Sequence, residues 1–479
     1  MKKVLILLIG AVTLFTACNK DPKPETNLQL NKNKIELPNT GASDSFIIAC
    51  NESWTITTDG ADWYTLSATS GSGMTTVSVT APALKELKAR SSQISVNSGN
   101  KSESIVIIQN PPVVPSDPSK SEIMVQAIGG LKSFEIPSGF DYKVSVDQSW
   151  LSVAAEEDSS VKLSVDPNGS DEYRSAKVTV TVDDGSVIAE TTVTQSWRNV
   201  EPGELLIEEI YFTGSPIEGS ENSGDDQYIR LTNNSDHTVY ADRVMFVMNY
   251  MTGTKTGPGA YYEYPDPGDN LAVDDMYVIP GNGTDHPLAP GESIILAIHA
   301  QNYKADNPQA IDLSKADFEF YDENEIYPDT DNPDVENLDI WFKSSFTITI
   351  LHKRGLESYA IVTPPASETA ESIMNDHHWS GERTMYFNEW VFTKDLSTED
   401  VWLIPGEWVL DAVNCSLEDL YYSNPWGAGF DAGWTHAGAY DGDISRYGKS
   451  VRRKAVDGKL VDTGNSTNDF TPDAEPTLK

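Results

Sequence analysis

The residues best suited to chemistry lie near the C-terminus. Tyr421, Tyr422, Trp426, Asp431, Trp434 and Tyr440 fall in a run that mixes rings, glycines and polar groups without two-residue alternation. Such a run reads as a loop, and rings on loops are less easily absorbed by a core. Flat apolar rings beside carboxylate and amide acceptors suit the C–H face and the hydroxyls of a sugar. The bland reading of the same residues is an insertion packing down on its own sandwich. A second cluster is ionic. Residues 317–339 hold ten Asp and Glu and no Lys or Arg, and within them Asp329, Asp331 and Asp334 offer oxygens of the kind calcium takes. The run lacks the glycine and distant glutamate of an EF-hand loop, and a solvated acidic loop explains it equally.

Patterns for catalysis are missing. There is no His-Glu-x-x-His, no phosphate-binding glycine loop and no Gly-x-Ser-x-Gly. The one histidine pair, in Asp376-His377-His378-Trp379, joins neighbours that point to opposite sides of an extended chain. No enzymatic activity and no cofactor are expected, calcium at the acidic loop being the one cation considered.

These groups need positioning, and the chain begins with the means of fixing its place. Lys2 and Lys3 precede an apolar run, Val4 to Val12, followed by Leu14-Phe15-Thr16-Ala17-Cys18. A basic start, a short apolar core and small residues before a cleavage point make a secretory signal over residues 1–17. The Thr-Ala-Cys ending resembles a bacterial lipobox, which implies that Cys18 is acylated and becomes the first mature residue. Acyl chains on one cysteine bury enough methylenes for a stable anchor when there are several. Residues 18–26 form a polar, proline-containing leash. Lys20-Asp21 in that leash resembles the surface-export signal of Bacteroidota lipoproteins, which implies an outer-membrane, cell-surface location.

Charge narrows the partners. The formal net charge is −39. Residues 1–203 carry 17 Lys+Arg against 24 Asp+Glu, and residues 204–479 carry 17 against 49. So acidic a C-terminal part excludes nucleic acid and anionic membrane as its partners. With Cys18 lipidated, only Cys50 and Cys415 remain, in different expected domains, so core burial rather than a disulfide framework must hold the fold.

From Leu28 to Gln195 short alternating strands are separated by turn residues, and the section repeats itself. Trp63 returns as Trp150, Arg90 as Arg174 and Gln109 as Gln195, all at a spacing of 84–87 residues. Ser53-Trp54, Asp62-Trp63, Ser70-Gly71-Ser72-Gly73, Arg90-Ser91 and Gln109 resemble the BACON domain, an immunoglobulin-like sandwich of Bacteroidota surface proteins. That resemblance implies two sandwiches, 27–110 and 121–198, joined by a proline-rich linker over 111–120. Trp63 and Trp150 are expected to plug the two cores, Cys50 to be a small core residue, and the pair of sandwiches to act as a stalk.

Residues 204–479 form the head. Glu208-Glu209-Ile210, Tyr228-Ile229-Arg230-Leu231-Thr232-Asn233 and Leu288-Ala289-Pro290-Gly291 resemble the lamin-tail type of sandwich. So do Lys449 to Arg453 and Asn465 to Phe470, which are similar also to an uncharacterised Bacteroidota lipoprotein family with long insertions. The alternating run Phe346-Thr347-Ile348-Thr349-Ile350-Leu351 reads as one of its strands. The expected fold is therefore all-β, with tandem immunoglobulin-like sandwiches carrying a larger sandwich head. The function that follows is non-catalytic capture of a nutrient, a glycan, beside an outer-membrane transporter of the TonB-dependent kind. The alternative is a structural lipoprotein whose head docks on such a transporter and binds no small ligand.

Overall fold

The structure is a computed structural model. It describes residues 25–249, 253–254, 261–323, 326–387, 390–395, 400–423, 426 and 429–479. The expected signal and lipid-anchor residues, Cys18 among them, lie outside the described residues. The fold is all-β. No helix among the described residues is long and apolar enough to cross a membrane. One compact unit comprises the chain up to Ser121 with Leu131–Ser164 and Lys177–Thr192. The other comprises Glu122–Gly130, Val165–Ala176 and Val193–Lys479.

In the first sandwich, Leu28–Leu30, Ala42–Cys50, Thr75–Ala81 and Thr65–Leu66 form one sheet. Lys34–Leu37, Lys101–Gln109, Arg90–Ser98, Ser53–Thr58 and Ser70–Ser72 form the other. The sequence alternation becomes alternation of burial. Ile94, Val96, Ile105 and Ile107 point inward with Phe46, Ile48, Val77 and Val79, while their neighbours meet water. Each such side chain contributes roughly 1.5–3 kcal/mol by leaving water.

The repeat has a structural reason. Arg90 Nε and Nη2 donate to Gln109 Oε1 at 2.9 and 2.8 Å, and Gln109 Nε2 donates to the carbonyls of Pro38 and Pro82, both at 2.9 Å. In the second copy Arg174 Nε donates to Gln195 Oε1 at 2.9 Å, and Gln195 Nε2 reaches the carbonyls of Gln126, Ala127 and Asp166. Both glutamines are fully buried. Each ties off loop carbonyls that no strand partner satisfies.

The tryptophan expectation needs correcting. The ring sealed in the first core is Trp54, 1% exposed, lying against Gly71, where a Cβ would come within 2.9 Å of its Cε2 atom. Trp63 is half-buried at the margin, edge-on to Tyr64 and beneath the Arg90 guanidinium at 4.8 Å. Trp150 is half-buried as well. The second core is filled instead by Leu151, Val161, Leu163, Val178 and Val180. Asp-Trp and Ser-Trp precede strands, at a sandwich end where a ring covers the core rather than entering it. Cys50 is likewise only partly buried, its thiol 3.1 Å from Ser98 Oγ.

The head is a sandwich of a seven-stranded and a six-stranded sheet. The first contains, in order, Glu336–Asn337, Phe318–Glu319, Ser293–Ala297, Tyr228–Asn233, Leu205–Tyr211, Ser450–Arg453 and Phe470–Ala474. The second contains Asp339–Lys343, Asp275–Val278, Met245–Asn249, Ser358–Val362, Val409–Ser416 and Thr435–His436. Its central core runs from Leu205, Ile207 and Ile210 through Phe246, Tyr277 and Phe320 to Tyr359 and Val413. Both outer faces are covered too. Met245, Val247, Met276 and Ala360 pack under Leu271, Ile373, Trp402, Ile404 and Trp408, while Tyr211, Tyr228 and Ala297 pack under Ile311, Leu313 and Val335. The long insertions are these covers.

One expected strand is not formed. The run 346–350 belongs to no strand and is strap-like, with Thr349 buried and Phe346, its ring beside that of Tyr327, and Ile350 at 72% and 41% exposure. Its β propensity alone does not place it, and it stays outside both sheets.

Candidate functional site

The cover over the six-stranded sheet builds an open cleft. Asn270–Val273 pairs antiparallel with Trp402–Pro405, Asn270 opposite Pro405. The turns leaving this ribbon carry Asp266, Gly268 and Asp269 on one side and Gly406 and Glu407 on the other, with Gly429 and Phe430 closing the cleft. Its volume is about 770 Å³. Local sequence makes each wall. Asp266 Oδ1 accepts from Gly268 N at 2.8 Å, Asn270 Nδ2 donates to Pro267 O at 2.8 Å, and Gly406 N donates to Asp269 O at 3.0 Å. Gly406 must lack a side chain, since a Cβ there would lie 2.7 Å from Phe430 Cζ. Phe430, half-buried and packed against the cover's core, thus lines the cleft together with three exposed residues, Asp266, Asp269 and Glu407. An apolar ring with hydrogen-bond acceptors around it, in a cleft of this volume, can hold a neutral polyhydroxylated ligand.

The residues singled out from sequence lie in the same part of the head, mostly as structural ties. Tyr421 and Trp434 are brought together, stacked with centroids 5.0 Å apart and planes at 24°. Trp434 Nε1 donates to Leu417 O at 3.1 Å. Trp426 is half-buried against the cover's core, its Nε1 donating to Ala272 O at 2.8 Å. Asp431 accepts from the backbone of Asn414, Gly433 and Ser466 at 2.8–2.9 Å and from the Ser466 hydroxyl, so it pins the loop to the C-terminal segment. Burial pushes its carboxyl above the usual range despite those bonds. Tyr440 is 59% exposed. Tyr422 lies in the short strand Tyr422–Ser423, paired with Gly253–Thr254, and its side chain is outside the described residues.

The three aspartates of the acidic segment do not converge. Asp329 turns inward, its Oδ1 3.1 Å from His299 Nδ1, with both side chains almost fully buried. Burial alone would push its carboxyl up, but the His299 bond and charge outweigh that and hold it below the ordinary range. Asp331 accepts from Asn337 Nδ2 at 3.0 Å, and Asp334 is exposed, 3.9 Å from Lys315 Nζ. Among the described residues no three His, Cys, Asp or Glu are grouped to hold a metal ion. The histidine pair also diverges, His377 Nδ1 meeting Leu403 O at 3.1 Å and His378 meeting the Trp402 ring edge-on.

Sequence reasoning missed Asp266, Asp269, Glu407 and Phe430 as wall residues. The available signal was Pro265-Asp266-Pro267-Gly268-Asp269-Asn270, a run of turn formers long enough to leave the sheet.

Comparison with known proteins follows the same division. Residues 52–110 and 140–196 match the BACON family, described as "Putative binding domain, N-terminal". Residues 289–477 match DUF4876, described as a protein of unknown function. Neither is a known catalytic family. Among solved structures, a DUF4876 family protein from Bacteroides thetaiotaomicron is similar at 24% identity, covering 74% of this chain and 95% of that one, with a TM-score of 0.46. A GH5 xyloglucanase from Bacteroides ovatus, in complex with a XXXG heptasaccharide, is similar at 20% identity over 22% of this chain and 27% of its own, at a TM-score of 0.18. At these TM-scores the overlaps carry no argument about activity. No curated protein matches the chain.

Proposed function

We propose that this protein is a non-catalytic lipoprotein of the bacterial cell surface that captures a glycan for an outer-membrane transporter of the TonB-dependent kind. Cys18 carries the lipid, the tandem sandwiches are the stalk, and the head holds the ligand. The observation that supports this most is the cleft of Phe430, Asp266, Asp269 and Glu407, since it joins a ring to acceptors on an open face. The stacked Tyr421 and Trp434 belong to the same loop and extend the aromatic surface available to a chain of sugars. Carboxylates facing a neutral ligand accept hydroxyl hydrogens and need no counter-charge.

The test is affinity electrophoresis of the full chain against neutral polysaccharides, with Phe430→Ala and Asp269→Asn beside it. Retardation by at least one polysaccharide, lost in Phe430→Ala while the fold persists, is the expected result. Retention by both variants would move the site elsewhere. A second reading, docking on a transporter without a small ligand, draws on the apolar side chains Ile326 and Phe346, both 72% exposed. Co-purification of an outer-membrane barrel with a protein that binds no polysaccharide would select it.

A further inference from the structure

A second cavity lies in the head under the strap 344–350, which belongs to neither sheet. Its volume is about 370 Å³. Asp275 stands on the strand Asp275–Val278, and Glu357 immediately precedes the neighbouring strand Ser358–Val362. Both line the cavity, at 7% and 8% exposure. Asp275 Oδ1 accepts from Ser344 N at 2.9 Å, which holds the start of the strap. Thr349, further along, shares a 2.8 Å hydrogen bond with Tyr277 Oη. Glu357 Oε2 accepts from Tyr359 Oη at 2.6 Å and His352 N at 3.0 Å. Its Oε1 has no donor among the described residues. Lys343, the one cation lining the cavity, already donates to Asp322 and to Thr347 O. The remaining lining is Met248, Phe346, Ile348 and Ile350 with the hydroxyls of Ser345 and Thr347.

Two carboxylates out of water are costly to ionise, and the one nearby cation, Lys343, is already engaged by Asp322, so a further cation would lower that cost. A metal would need more hard oxygen donors, and the nearby Asp322 and His352 are engaged by Lys343 and Arg354; among the described residues no three His, Cys, Asp or Glu are grouped to hold a metal ion. A sugar would meet two buried carboxylates and, as donors for its own oxygens, little beyond the Ser345 and Thr347 hydroxyls, which already share a 2.8 Å hydrogen bond. The chemistry left is an N–H donor carrying positive charge, with a short apolar body to meet Phe346 and Ile348.

We propose that this cavity binds a small organic cation through its primary ammonium group, with Glu357 Oε1 and Asp275 as acceptors and Phe346 at the rim. Burial pushes the carboxyls of Asp275 and Glu357 up to about 7. Binding should therefore release protons near neutral pH. The other titratable groups facing the pair are Lys343, Asp322, His352, Tyr277, Tyr359 and Cys415. Of these, burial keeps His352 neutral by lowering it to about 4, and pushes both tyrosines and the Cys415 thiol well above neutrality. The pH response between 6 and 8 therefore belongs to the two carboxyls.

The experiment is calorimetric titration of the full chain, solubilised in detergent, with n-butylammonium chloride at pH 8 and pH 6. Sodium chloride and tetramethylammonium chloride serve as controls. Saturable binding of one butylammonium at pH 8 is expected, about tenfold weaker at pH 6. Neither control cation should bind. Glu357→Gln keeps an oxygen for Tyr359 and His352 but removes the charge, and should weaken binding by about tenfold or more. Phe346→Lys, at an exposed position that folding tolerates, should weaken it comparably by placing a tethered ammonium at the rim. No saturable heat at pH 8, equal binding of sodium, or full affinity in both variants would overturn the proposal.

Discussion

The stalk and the head are both β-sandwiches, yet their strands bury differently. In the first sandwich Arg90–Ser98 alternates between inside and outside along its length. In the head, Met245–Asn249 and Ser358–Val362 are buried at every position. The difference is coverage. A stalk strand has one face on a core and one in water, whereas insertions lie over both outer faces of the head. The consequence is chemical. A strand buried on both faces cannot send its polar residues to solvent, so they must pair inside. Glu209, Asp226, Glu319, Asp411, Arg446 and Arg453 are all buried in the head, while among the buried residues of the first sandwich no charged side chain occurs. The first sandwich rests on apolar burial; the head adds a network of buried charge.

The largest expected effect separates the two regions directly. Arg453 donates to Ile207 O at 2.9 Å, to Val461 O at 3.0 Å and to Asp411 Oδ2 at 2.5 Å, with its guanidinium 4.6 Å from the Phe470 ring centroid. Arg453→Met leaves Asp411 buried without its cation and should cost the head about 3–5 kcal/mol. In the stalk the matching loss comes from an apolar deletion, Trp54→Ala, at about 3–5 kcal/mol. Urea unfolding of the full chain, read at the head and stalk transitions, checks both. A cost below about 1 kcal/mol for Arg453→Met would mean the head's charges are dispensable and would break the contrast.

How much of this was legible follows the same line. Period-two alternation shows through wherever one face is wet, so a stalk strand could be read from Val178, Val180 and Val182, and the repeat from the spacing of Trp63, Arg90 and Gln109 to Trp150, Arg174 and Gln195. The Arg and Gln landmarks could be found by spacing, but their partners are loop carbonyls, which no side-chain pattern reveals. In the head, Leu205–Tyr211 and Tyr228–Asn233 are readable as strands because apolar residues dominate them. The strap 346–350 misled because alternation reports intrinsic preference and not the presence of a free neighbouring edge. Trp426 and Asp431 were visible as unusual loop residues. Whether a ring faces water or a carbonyl such as Ala272 O depends on contacts 154 positions apart in sequence. The walls of the Phe430 cleft are joined by the pairing of Asn270 with Pro405, a long-range register that composition does not encode.

The next effect concerns pH, and its sign is opposite to that of ordinary surface ion pairs. Glu357 is pushed up to about 7 by burial. The folded state holds that proton where the unfolded chain has released it, so the contribution to stability is complete below about pH 4.5 and is lost as pH rises through 7. Glu357→Gln removes the titration and should stabilise the head by about 2–3 kcal/mol at pH 8, with little change at pH 4.5. Thermal unfolding of both proteins at the two pH values reads this. A variant less stable than the parent at pH 8 would show that the ionised carboxylate is a net asset, and the head's charges would then be better solvated than their burial indicates.

The smallest effect tests whether the stalk is as independent of charge as the contrast requires. Arg90 is the cation most involved in the first sandwich, with two bonds to Gln109 and a place over Trp63. It differs from Arg453 in one respect: it is only partly buried, so water can replace it at Gln109 Oε1. Arg90→Ala should therefore cost about 1 kcal/mol, whereas Gln109→Ala, which leaves the carbonyls of Pro38 and Pro82 only their longer bonds from Gly41 N and Arg90 Nη2, should cost about 1–3 kcal/mol. Arg174 and Gln195 should reproduce that ranking in the second copy, because the Nε–Oε1 bond and the amide's hold on loop carbonyls recur there. The four variants can be compared by urea unfolding of the full chain, each against its own sandwich's transition. Arginine costing more than glutamine in both copies would make the guanidinium, and not the amide, the element that closes each unit. The stalk would then depend on placed charge in the same way as the head, and the division between an apolar stalk and a charge-networked head would fall.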